Sequence, residues 1–428
     1  MKKVVKKIAL LLIVFGIGVG VTLLYTNNKY KVYEEEESKQ IKKHVDTISM
    51  MLETEAGSGN YEMTTASSWP TDGYIFNTEL SKCENGGELS WDDENKRVLM
   101  SGNVSDKCYV YFDIYVPPTV VSDVCNGGET LSTCITTLSQ NSTSSYTNIY
   151  HHDSALANGA GDNSYRYAGA NPNNFVCFGT NTTPCPTDNL YRIIGVFGNQ
   201  VKLIKYDYAT SALLGTDGDY KGTGTPNASY YKGSLTTINT YYWNKATSKN
   251  TWSESNLNKV NLNTNFINNI RSEWAAKIAE TTWKVGGNTF ANIGTQPAKT
   301  AYQNEIVSPV TTNTTDGATE YSAKIGLMYV SDYMYAASQD KWTLVGNGSA
   351  TTDYRAATSV NWMYMGFGDW TISRIADNSS SVFGMYSTGY VDYGYVGGNS
   401  GCRPSFSLLS STTYVSGSGS ASDPMVIN

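Results

Sequence analysis

The sequence predicts an α+β protein: an N-terminal transmembrane helix, a small disulfide-stapled β domain and a larger C-terminal mixed α/β domain. Three observations give that class. An uncharged apolar run lies near the start, six cysteines fall into close sequence pairs, and short Tyr- and Val-rich strands punctuated by turn residues surround a stretch of helical periodicity.

Residues 1–7, Met-Lys-Lys-Val-Val-Lys-Lys, read as a cytoplasmic tail. Ile8–Tyr25 carries no charge and spans about 27 Å as a helix, close to the roughly 30 Å hydrocarbon core of a bilayer. Lys2, Lys3, Lys6 and Lys7 precede it, the side expected to stay in the cytoplasm. The expectation is a single-pass cell-membrane protein with its bulk extracellular. A cleaved signal peptide is the alternative, since Gly16, Gly18 and Gly20 mimic a small-residue cleavage site; Val21, Leu23 and Leu24 continue the run and favour retention.

Seven cysteines follow. Loop length alone pairs Cys83 with Cys108, Cys125 with Cys134 and Cys177 with Cys185, although six cysteines allow 15 connectivities. None has the spacing of a zinc or redox motif, so disulfides formed in an oxidising compartment are expected. Cys402 is left over and reads as a small buried apolar residue.

Only 16% of the residues are charged, beside 32 Tyr and 39 Gly, against about 25% charged in an average protein. Such a chain folds, because a disordered stalk would be poor in aromatics. The net charge of −7 argues against nucleic acid as a partner, since phosphate binding needs clustered Lys and Arg.

Residues 26–58 read as a helical stalk, with Ile41, Val45, Ile48 and Leu52 on one stripe. Residues 59–117 form the small β domain: Tyr74–Phe76, Glu88–Trp91, Arg97–Met100 and Cys108–Phe112 read as strands, with a turn at Asp92–Asn95. Val116-Pro117-Pro118-Thr119 reads as a linker, and residues 118–189 as a Ser/Thr/Asn-rich region of disulfide loops. Residues 190–428 form the C-terminal domain. It opens with a hairpin, Tyr191–Phe197 and Val201–Tyr206 around Gly198-Asn199. Helices are expected over Glu254–Ile270 and Trp274–Trp283, followed by glycine-split Tyr/Trp/Val strands.

The sites that catalysis would need are missing from the pattern. Of three histidines, His44 lies in the stalk, and the adjacent His151 and His152 cannot easily face one ion. No Gly-x-Ser-x-Gly elbow or phosphate-cradling loop occurs. Asp217–Gly222 begins like a calcium loop but has Lys221 and Ala228 where ligands belong. No metal, cofactor or enzymatic activity is expected. The C-terminal aromatics stand out instead: Trp362, Tyr364, Trp370, Tyr386, Tyr390, Tyr393 and Tyr395 among Gly, Ser and Asn. Recognition loops favour that mixture, and a β core uses the same rings as filler.

Six motifs in order resemble an uncharacterised bacterial surface-domain family of unknown function. They are Tyr191-Arg192-Ile193, Trp252-Ser253-Glu254-Ser255-Asn256-Leu257, Leu262-Asn263 with Phe266, Trp370-Thr371-Ile372-Ser373-Arg374, Gly401-Cys402-Arg403-Pro404-Ser405-Phe406 and Gly417–Pro424. Cys402 replaces the family's usual aliphatic residue. The first 190 residues are similar to leaders of surface proteins of gut-type Gram-positive bacteria. The closing Arg-Pro strand resembles C-type-lectin-like domains of the formylglycine-generating-enzyme type. That likeness implies a C-type-lectin-like scaffold over residues 190–428 without the enzyme's cysteine pair, and without calcium-dependent lectin motifs. The function expected is binding or adhesion at the cell surface, to an extracellular glycan or protein. The alternatives are a pilin-like structural subunit, which lacks the prepilin cleavage pattern, or an exported enzyme.

Overall fold

The computed structural model describes residues 48–55, 57–66, 68–70, 73–101, 106–115, 121–140, 148–309 and 318–428. The tail, the transmembrane helix expected over 8–25 and most of the stalk lie outside the described residues. Among the described residues, no helix is long and apolar enough to cross a membrane. The chain divides into two compact units, Met1–Pro118 and Thr119–Asn428.

The first unit contains β1 (Ile48–Glu53), β2 (Tyr61–Met63), β3 (Tyr74–Phe76), β4 (Lys82–Cys83), β5 (Glu88–Asp92), β6 (Arg97–Ser101) and β7 (Cys108–Ile114). A sheet in the order β2-β1-β7-β3 also takes β4 against β7, and β5 and β6 form a separate hairpin. The strands expected here are all present. The end of the helical stalk is not: Ile48–Glu53 is a strand, paired in parallel with β7 from Ile48–Cys108 to Leu52–Phe112. The ladder with a strand some 60 residues on outweighs the three-to-four spacing, a tertiary effect that local periodicity does not register. The Cys83–Cys108 disulfide joins residues already opposite each other in β4 and β7. Met50, Trp69, Phe76, Val110 and Phe112 make a core of only a few side chains, the size at which a covalent staple matters.

The second unit begins well before residue 190. The helix Leu131–Gln140 buries Leu131, Cys134, Ile135 and Leu138, and Cys134 is bonded to Cys125. β8 (Ile149–His151), β9 (Tyr165–Tyr167) and β10 (Phe175–Cys177) follow, before β11 (Leu190–Phe197) and β12 (Gln200–Lys205). From Thr119 on, the stretch up to residue 189 therefore groups with the C-terminal unit and is not a linker. Their strands have three residues each, too short to show a period among Ser, Asn and Gly. The third disulfide joins Cys177 to Cys185.

The hairpin β11–β12 matches its sequence signal, with Val196 opposite Val201 and Gly198 at φ +62°, as a two-residue turn requires. β9 and β10 share one edge of β11, while the far edge of β12 takes the closing strand β21. Before that strand the chain forms β13 (Tyr220–Gly224), β14 (Ile238–Tyr241), β15 (Thr281–Lys284), β16 (Gly287–Asn288) and β17 (Glu320–Ala323). β18 (Asp369–Ile375), β19 (Ser381–Met385) and β20 (Val391–Tyr395) complete a second sheet in the order β16-β18-β19-β20. β21 (Ser405–Ser407), β22 (Tyr414–Ser416) and β23 (Val426–Ile427) end the chain. The result is mixed α/β.

The helix expected over Glu254–Ile270 forms as a wide-turned π helix, Leu257–Phe266, continued by Ile267–Asn269. The helix expected over Trp274–Trp283 does not. One turn, Ser272–Ala275, gives way to β15, where Trp283 donates its indole N–H to the Ala323 carbonyl at 3.0 Å. The β-branched pair Thr281-Thr282 favours extended backbone there.

At Gly195 β9 approaches β11 so closely that an added Cβ would overlap the Tyr165 carbonyl oxygen. Gly195→Ala is expected to cost about 1–3 kcal/mol, read as a lower denaturant midpoint. Gly127→Ala, whose Cβ would sit at an ordinary 3.4 Å from Val415, serves as the control with little change.

Candidate functional site

The seven aromatic residues singled out by sequence separate into two groups. Trp362, Tyr364 and Trp370 are only 4, 6 and 3% exposed, so these three belong to the core and not to a binding face. Trp362 donates to the Tyr167 carbonyl at 2.8 Å, and Trp370 to the Tyr241 carbonyl at 2.7 Å. Large rings with a polar atom are buried where that atom finds a partner, and both indoles do.

Tyr386, Tyr393 and Tyr395 are 41, 48 and 51% exposed, and Tyr390 is half-buried. All four sit on the β19–β20 hairpin. Val391, Tyr393 and Tyr395 share one face of the outer strand β20, where Val391 is covered and the tyrosines are open. On the opposite face Gly394 leaves room for the Trp370 ring, 3.0 Å from where a Cβ would stand. Tyr393 rests edge-on against Phe290 at 5.5 Å.

The loop joining the strands is held from beneath. Tyr386 and Tyr390 stack at 4.9 Å. The buried Tyr364 donates to the Ser387 carbonyl at 2.6 Å, and Tyr333 to that of Gly389 at 2.7 Å. The Arg355 guanidinium lies 4.5 Å from the Tyr390 ring centre and is gripped by Asp353. Tyr364 thus supports the exposed rings instead of joining them. Arg355, Phe290 and Tyr333 were not legible as site residues: they come from three other segments that meet only in the fold.

A second feature is a set of buried charges. Arg166 donates to Asp162 at 2.6 Å and lies among the rings of Phe197, Tyr302 and Tyr335. Lys202 meets Asp332 at 2.5 Å. Arg403 donates to Asp369 at 2.6 Å and to the Met363 carbonyl at 2.8 Å, beside the buried Cys402, whose thiol burial pushes well up. The one signal in the sequence for this set was a charged residue inside an apolar strand, as Arg192, Lys202 and Lys205 are.

The remaining motifs serve the fold. Asp219, of the calcium-like stretch, accepts backbone N–H groups of Lys245 and Leu257. His151 is surface-exposed against Tyr165, whereas His152 is fully buried. Among the described residues no three His, Cys, Asp or Glu side chains converge as a metal site would require. A cleft bordered by Trp252, Val285, Tyr321 and Arg374 encloses about 10 Å³, room for about one water. Comparison with known protein families, curated proteins and solved structures returns no match to this chain.

His152 accepts the Ala160 N–H on Nδ1, and burial, helped by the Arg166 charge, pushes it from 6.5 down to about 2. A depressed histidine contributes stability that is fully present above pH 6.5 and is lost as pH falls towards 2. Asp369, which burial raises to about 6 against the pull of Arg403, slopes the other way, its protonation favouring the folded chain. Comparing variants isolates the histidine. His152→Gln is expected to gain about 1.4 kcal/mol on wild type for each pH unit below 6.5, measured by denaturant unfolding at pH 7.5, 5.5 and 4.5.

Proposed function

We propose that the protein is a membrane-anchored cell-surface binding and adhesion protein whose β19–β20 hairpin recognises an extracellular carbohydrate. The observation that carries the reading is four tyrosines on one braced hairpin, Tyr393 and Tyr395 on one face of β20 and Tyr386 stacked on Tyr390 at its loop, in a chain with little charge to spare. Aromatic faces cover the C–H faces of sugar rings. The phenol hydroxyls, Asp392 and the Arg355 guanidinium supply donors and acceptors for sugar hydroxyls. An extracellular protein would use the same residue types as anchors and is the other ligand class. The apolar run Ile8–Tyr25 would hold the chain in the membrane of a Gram-positive bacterium, and three disulfides suit an oxidising exterior. The C-type-lectin-like resemblance of residues 190–428 is consistent with a scaffold that displays loops, but a scaffold does not name a ligand. The reading assigns no reaction and no nucleic-acid partner.

The test is binding of residues 48–428, oxidised, to an array of host and bacterial glycans and mucins. Tyr393→Ala and Tyr395→Ala should each weaken a specific hit by roughly tenfold with the melting temperature held. Trp370→Ala should instead destabilise by about 3–5 kcal/mol. Folded tyrosine variants that bind as wild type does would remove the hairpin from the site, and a blank array would shift the ligand to protein.

A further inference from the structure

Lys202 and Asp332 are an unusual pair. Lys202 projects from the middle of β12, a strand with five of its six residues buried. Asp332 lies in the helix Val330–Tyr335, all six of whose residues are buried. The Lys202 Nζ is 2.5 Å from Asp332 Oδ2. It is walled by the rings of Tyr329, Trp283 and Phe197, at 4.5, 5.4 and 5.7 Å. Oδ2 also accepts the Tyr329 N–H at 2.9 Å, while Oδ1 faces the Arg166 guanidinium at 3.9 Å. Glu305 fixes the start of that helix by accepting the N–H groups of Val330 and Ser331 and the Ser373 hydroxyl.

Separated charges are costly in such a place, because the pair gives up its hydration on both sides. Burial pushes the Lys202 ammonium below its ordinary value, with Asp332 opposing, the direction that favours the neutral amine. An oxygen at 2.5 Å sets the carboxyl carbon within the ~3–3.5 Å range at which oriented groups react with large effective molarity.

We propose that Lys202 and Asp332 condense into an intramolecular isopeptide bond that ties β12 to the helix Val330–Tyr335. One proton passes from Nζ to Oδ2, leaving an amine and a carboxylic acid. The nitrogen lone pair adds to Cγ, and the negative charge gathers on Oδ1, opposite Arg166. A second proton leaves Nζ for Oδ2, the Cγ–Oδ2 bond breaks, and Oδ2 departs as water. Ammonium plus carboxylate becomes amide plus water, with no oxidant, reductant or added acid. The bond removes one positive and one negative charge, and Arg166 keeps its partner Asp162. The inference concerns the scaffold and stands whatever the hairpin binds.

Mass spectrometry of the full chain, reduced and digested, tests it. The expected result is a branched peptide joining the segments of Lys202 and Asp332, about 18 Da lighter than the two together. Asp332→Asn should form the same bond by releasing ammonia, a loss of about 17 Da. Lys202→Met and Asp332→Ala should give unlinked peptides at full mass. Wild-type protein with Lys202 and Asp332 recovered in separate, unmodified peptides would overturn the proposal. So would a loss of water that persists in Lys202→Met. The wild-type digest decides the matter even where a variant fails to fold.

Discussion

The C-terminal unit is organised around cations that it has taken out of water. Arg166, Arg192, Lys202, Lys205 and Arg403 are each no more than 7% exposed. A buried charge without partners costs several kcal/mol, so every one dictates what must surround it. Arg192 draws in Asn174, the Pro172 carbonyl and the Trp362 carbonyl. Lys205 takes the Asp188 carbonyl, and Arg403 takes Asp369 and the Met363 carbonyl. These partners come from segments as far as 170 residues away in sequence. The central sheet therefore recruits the loops before it and the aromatic segment after it, and both become parts of one core. This is one reason the loops from Asp162 to Asp188 belong to the unit that starts at Thr119. Without the loop carrying Asn174, Arg192 would lose its side-chain partner.

Much of the fold was legible where a residue's own neighbours decide its state. The hairpin at Gly198-Asn199, the strands from Tyr74 to Phe112 and the helix at Leu257–Asn269 all follow from local period and turn chemistry. The three disulfides do too, since short loops close most easily. Reading failed where distant pairing decides. Ile48–Glu53 has the spacing of a helix stripe and becomes a strand because β7 is available. Residues 149–177 have no period to read, yet the sheet edge orders them. Trp283 looks like the end of a helix and is fixed instead by β17.

The candidate site divides on the same principle. Sequence placed seven aromatics together but could not assign them to inside or outside. In β18 the residues around Trp370 are buried on both faces, because β19 and the preceding loops cover it. In β20 only one neighbour strand exists, so Tyr393 and Tyr395 remain open. Exposure follows from position in the sheet order, which no spacing rule contains.

That geometry also bears on how a tyrosine surface could bind with few contacts. Ordering a mobile loop on binding consumes much of the interaction energy, and rings already fixed avoid that loss. Here the loop carbonyls of Ser387 and Gly389 are held by Tyr364 and Tyr333, whose own rings are packed in the core. Tyr390 is pinned between Tyr386 and Arg355, and Asp353 fixes Arg355 through two oxygens. Tyr386 stacks on Tyr390, Tyr390 lies over the clamped Arg355 and Tyr393 rests against Phe290, so on the proposed reading the buried members of the aromatic segment would serve recognition through rigidity instead of contact. A core that spends its charges on holding loops in place is the scaffold such a surface requires, because rings seated on loosely held loops would first have to be ordered by the ligand itself.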